Sequence, residues 1–163
     1  MNELFTFTLA IILITFSLLP GFIVLGALFP TRLAQTQANA ARWPGRSFLV
    51  GMVNFIFFLV TTLVLLALVE RTAGLLRTIL TLPALVIATV LLVMISFGLA
   101  GVARLIGERL APAQSAWRQL FWGTLLLGLG CSVPLAGWFL LLFYAGWVGM
   151  GAFVISFFQK PAI

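Results

Sequence analysis

Histidine and aspartate are absent from this 163-residue sequence, cysteine occurs once, and the only acids are Glu3, Glu70 and Glu108. Each absence removes a class of chemistry. Without histidine there is no His-ligated haem, none of the usual zinc or copper sites, and no imidazole base. A lone thiol, Cys131, makes neither an intrachain disulfide nor a cysteine metal site. Proton relays and ion-coupled transporters place an acid within the helix bundle, whereas all three glutamates lie at or beyond an expected helix end. No nucleophile–base pair remains, so the chain is not expected to be an enzyme, and neither a cofactor nor a metal is expected. Charge of any kind is scarce, at 7% of residues against 63% hydrophobic. That balance lies far outside the composition of soluble domains.

The sequence instead contains four tracts free of Asp, Glu, Lys, Arg and His, at residues 5–29, 48–69, 78–103 and 119–158. A bilayer core needs about 20 apolar residues per helix, so each tract can span it. The expected fold is therefore all-α, a polytopic transmembrane helix bundle in the lipid bilayer. The N-terminal tract lacks a basic leader, carries Glu3 and exceeds the usual signal core of 7–15 residues, so it reads as a retained helix. Pro20-Gly21 should kink that helix. The second helix is expected over about 47–69, and the third over about 82–103, with Pro83 in its first turn.

The last tract would be about 60 Å long as one helix, twice the core thickness, and must break. Pro134-Leu135-Ala136-Gly137 is the turn-like punctuation near its middle. Helices over about 117–133 and 138–158 follow, giving five crossings. The alternative has four crossings and a re-entrant half-helix. With five and the N-terminus outside, Arg32, Arg42, Arg46, Arg104, Arg109, Arg118 and Lys160 face inward, and Arg71 and Arg77 outward. The positive-inside rule favours that count, N-terminus out and C-terminus in, in a bacterial cytoplasmic membrane. The net charge of +6 thus reflects topology and anionic headgroups, and no nucleic-acid partner is expected.

Two segments are distinguished: residues 1–77 with two helices, and residues 78–163 with three. Between tracts, residues 31–46 fit a short helix ending at Trp43-Pro44-Gly45. Residues 104–110 show an interfacial pattern with a possible Arg104–Glu108 pair. Both loops read as helices on the lipid surface.

Candidate functional residues are few. Asn54 is the most polar side chain inside a tract, suited to an interhelical hydrogen bond or a ligand carbonyl, or else simply to packing. Thr61, Thr62, Thr89 and Ser96 can return their hydroxyls to the carbonyl four residues back. Small residues recur at a spacing of four, including Gly128 with Ser132 and Ala145 with Gly149, and Ala152 continues the second face. That spacing lets a neighbouring backbone approach closely. Cys131 could be acylated or redox-active, or serve as a small apolar filler. The tryptophans Trp43, Trp117, Trp122, Trp138 and Trp147, with Tyr144, mark interfacial depth.

Further motifs fill the second half: Leu82-Pro83-Ala84-Leu85, Gly98-Leu99-Ala100, Ile106-Gly107-Glu108-Arg109-Leu110, Val133-Pro134-Leu135-Ala136-Gly137-Trp138 and Gly149-Met150-Gly151-Ala152. In these the chain resembles the membrane domain of bacterial proteins linked to the bactofilin, or polymer-forming cytoskeletal, group. The resemblance implies a paired-helix membrane module with a Pro-x-x-Gly turn. The soluble polymer-forming domain is lacking, so polymerisation is not implied. Taken together, the expected function is that of a non-catalytic membrane subunit that packs against other integral membrane subunits and stabilises a larger assembly, such as a respiratory or photosynthetic complex. A free-standing scaffold and a small channel or transporter are the alternatives.

Overall fold

The computed structural model describes residues 2–131, 133 and 136–158, and every element among them is helical. The helices are α1 (Asn2–Leu28), α2 (Pro30–Arg42), α3 (Pro44–Arg71), α4 (Leu75–Leu110), α5 (Ala116–Cys131) and α6 (Phe143–Phe158), with a π-helical stretch over Ala136–Leu142 leading into α6. The boundaries follow local chemistry. Pro30 and Pro44 each open a helix, where a missing N–H costs nothing. Between α1 and α2 the axis turns by 107°. Gly74 links α3 to α4 with a φ of 65°, a left-handed conformation that favours glycine. The Gln119 amide closes the α4–α5 connection by donating to the carbonyls of Ala111 and Pro112, at 3.2 and 3.4 Å.

Three helical segments are long and apolar enough to cross a membrane: Pro44–Arg71, Leu75–Leu110 and Leu140–Phe158. The bent pair Ser17–Leu28 and Pro30–Arg42 would be a fourth if taken as one span. The long tract of residues 119–158 is interrupted, since α5 ends at Cys131 and the next helical stretch opens at Ala136. The expected Pro134–Gly137 turn falls largely outside the described residues, which include neither Pro134 nor Leu135.

Two boundaries differ from the sequence expectation. α4 begins seven residues before the expected start at Leu82, so Pro83 sits inside the helix rather than in its first turn. The Leu82-Pro83-Ala84-Leu85 motif therefore opens nothing here. α4 also runs through residues 104–110, which are its last two turns and no separate surface helix. Its 36 residues make about 54 Å of helix.

Packing is concentrated at one end. The C-terminal half of α4 lies against α5, α6 and α2, and the start of α3 lies against α6. The core there is built from Phe22, Leu33, Ala100, Ala103, Leu120 and Leu127. The segments 1–77 and 78–163 interleave, because α2 and α3 both pack on α4 and α6. Helix directions follow from the pairings. Gln119 meets Gly107 and Gly123 meets Ala103, so α5 returns antiparallel to α4. Gly98 meets Gly149, Phe97 stacks on Phe153, and Val90 borders the same groove as Phe157, so α6 is also antiparallel to α4.

Candidate functional site

The arrangement that most distinguishes this bundle is the junction of α6 with its two neighbours. α6 carries Gly149 toward α4 and Gly151 toward α3. A Cβ on Gly149 would lie 2.8 Å from the Gly98 Cα and closer still to its carbonyl, and one on Gly98 would lie 2.5 Å from the Gly149 carbonyl carbon. A Cβ on Gly151 would lie 2.6 Å from the Gly51 nitrogen, and one on Gly51 would lie 2.8 Å from the Gly151 nitrogen. Backbone meets backbone at both contacts, where dispersion and Cα–H···O contacts add up without a polar group. Ala152 is fully buried and Ala145 nearly so. Gly128 is buried in α5, and Ser132 lies outside the described residues. The α4–α5 contact is as intimate, with Gly107 against Gln119 and Gly123 against Ala103.

Gly51, Gly107 and Gly123 carry no close-contact expectation in the sequence reading, although Ser47 with Gly51, and Ala103 with Gly107, show the same spacing of four. Those two pairs lie at or beyond the edge of an apolar tract. Trp147 is the tryptophan most engaged with neighbouring rings among the described residues. Its ring packs against Phe48, Phe55 and Phe143, and its indole nitrogen is buried without a hydrogen-bond partner. Trp43, Trp117 and Trp122 are exposed.

Asn54 makes no interhelical hydrogen bond among the described residues. Its amide donates to the Val50 carbonyl in its own helix, at 2.8 Å. It borders an open groove of about 500 Å³ with Phe58, Val93, Met94, Phe153 and Phe157. Thr61, Thr62, Thr89 and Ser96 likewise donate to carbonyls four residues back. Cys131 is buried and free.

The largest departure concerns α2, expected on the lipid surface. It is docked into the bundle, with Leu33, Thr36, Gln37, Asn39 and Ala40 buried. The Gln37 amide donates to the Glu108 carboxylate on α4. The Asn39 amide donates to the Ala152 carbonyl on α6 at 3.3 Å. Thr36 fills the space above Gly101, with its hydroxyl returned to the Arg32 carbonyl. Burial of this polar face is tolerable because its donors find acceptors. Glu108 thus pairs with Gln37 and, among the described residues, forms no ion pair with Arg104. Glu70 stands exposed at the end of α3.

Comparison with protein-family models, curated proteins and solved structures gives no match.

Proposed function

We propose that this chain is a non-catalytic integral membrane subunit that packs against and stabilises a larger bacterial membrane complex, with respiratory and photosynthetic electron-transfer assemblies as first candidates. The supporting observation is the uneven burial of its spans. The apolar window of α3 is 11% buried and that of α4 28%, against 44% for Leu140–Phe158. Beyond the glycine contacts the α3–α4 hairpin stands clear of the bundle, presenting Val60, Leu63 and Val64 beside Leu82, Leu85 and Val86. Such a hairpin offers neighbouring helices a long apolar face. The paired-helix module suggested by the bactofilin-group resemblance belongs to the same reading.

A small channel or transporter needs a polar path, and Asn54, Thr61, Thr62, Thr89 and Ser96 each turn a donor onto their own helix. A free-standing scaffold is the remaining alternative. Mild native purification from its own membranes, with mass spectrometry of what accompanies the chain, separates these readings. Stoichiometric membrane subunits, cytochromes among them, are expected; a clean homo-oligomer would refute the proposal.

Topology belongs to the same reading. Charge alone favours five crossings, with the N-terminus outside and the C-terminus inside. One observation favours the arrangement of four crossings plus a half-helix. Five successive crossings make α6 parallel to α4, whereas the residue pairings make it antiparallel. With α5 as the re-entrant element, 16 residues or about 24 Å long, α6 enters from the same face as α3. Both termini then lie outside.

A further inference from the structure

The geometry points to a binding site for the phosphate of an anionic phospholipid headgroup at Arg104. A cavity of about 310 Å³ opens between α1, α2, α4 and α5. Its walls are apolar, with Ile23 and Ala27 from α1, Pro30 and Leu33 from α2, and Trp117 and Leu120 from α5. Among the described residues, Arg104 is the one charged side chain lining it. The Arg104 Nε is buried and has no hydrogen-bond partner. Glu108, the acid one turn away, is engaged by Gln37 instead. Among the described residues no carboxylate forms an ion pair with this guanidinium.

A buried cationic donor without an acceptor is costly, and arginine matches phosphate oxygens with paired N–H groups. An anion from outside the chain satisfies it. The first residue of α5, Ala116, also borders the cavity, so the positive end of that helix faces the same anion. The apolar walls decide the source of the anion. A free phosphate would meet Ile23, Leu33 and Leu120, whereas a lipid sets its glycerol and upper acyl carbons there. The volume lies at the low end for small-molecule sites, enough for one headgroup with its chains left in the bilayer.

The test uses the full chain, delipidated in detergent and returned to nanodiscs of phosphatidylcholine with or without phosphatidylglycerol. Native mass spectrometry counts retained lipid, and intrinsic tryptophan fluorescence follows thermal unfolding. One phosphatidylglycerol is expected to stay bound to wild type and to raise its unfolding temperature. Arg104→Gln should weaken that retention about tenfold, the equivalent of one charge-assisted hydrogen bond. Arg42→Gln, whose guanidinium lies over the exposed Trp43 ring away from the cavity, should leave it unchanged and so controls for diffuse charge. Ala27→Phe, at the exposed lip, should block the cavity without touching Arg104, so the proposal stays testable if the arginine variant does not fold. Equal retention of phosphatidylcholine, or unaltered binding by both Arg104→Gln and Ala27→Phe, would overturn the site. Displacement of the lipid by millimolar inorganic phosphate, with the same stabilisation, would overturn the lipid assignment.

Discussion

Replacing Gly149 with alanine adds one methyl group to a helix of 16 residues, and the structure says where it must go. The new Cβ would stand 2.8 Å from the Gly98 Cα, against an ordinary van der Waals contact of 3.4 Å or more. The obstacle is backbone on both sides, so no side chain can swing aside. The Gly98 carbonyl is nearer still, so α6 and α4 must separate by roughly 1 Å, a gap that forfeits up to about half of each opposing dispersion contact. Overpacking of this kind costs about 1–3 kcal/mol. Gly149→Leu should exceed that range. The matched control is Gly146→Ala, three residues earlier on the same helix, where a Cβ would meet nothing within 4 Å. Helix propensity favours both changes equally, by up to about 1 kcal/mol, so their difference isolates the contact. Reversible unfolding in mixed micelles, followed by tryptophan fluorescence, measures both variants. Gly149→Ala should unfold at lower denaturant fraction and Gly146→Ala at the wild-type fraction or higher. Equal behaviour of the two alanines would show that α6 does not meet α4 through Gly149.

Three further outcomes follow from the same geometry. Cysteines at Asn2 and Ala162, introduced with Cys131→Ala, should both react with an impermeant maleimide from outside; labelling from opposite faces would restore five crossings. A cysteine at the buried Thr36 should stay unlabelled while one at the exposed Ala38 reacts, and equal labelling would return α2 to the lipid surface. Asn54→Leu should change stability by no more than about 0.6 kcal/mol, because among the described residues its amide bonds only within α3; a larger loss would show a partner contact.

The legible part of this fold was its physics of length. Four apolar tracts gave the all-helical class, and the break in residues 119–158 followed from a helix too long for any bilayer. The direction of the helices was not legible. Basic residues report which loops face the cytoplasm, but they do not distinguish a helix that crosses from one that enters and returns. Lys160 alone shifts the count, and it lies outside the described residues.

Polarity misled the reading of α2 for a related reason. Thr36, Gln37 and Asn39 look like a wetted face when the segment is read alone, since composition records polarity but not its partners. The acceptors of Gln37 and Asn39, Glu108 and the Ala152 carbonyl, lie 71 and 113 residues away in the chain. No local pattern encodes such a distance. Space for the helix is encoded, though, by what its neighbours omit: Gly101 leaves room for the Thr36 side chain. The same logic runs through Gly98, Gly107 and Gly149. Here a glycine marks the place where another backbone arrives, and for Gly98 and Gly149 the partner is another glycine. Pairing small residues across tracts, rather than only along them, brings Gly98 to Gly149 and sets α6 against α4.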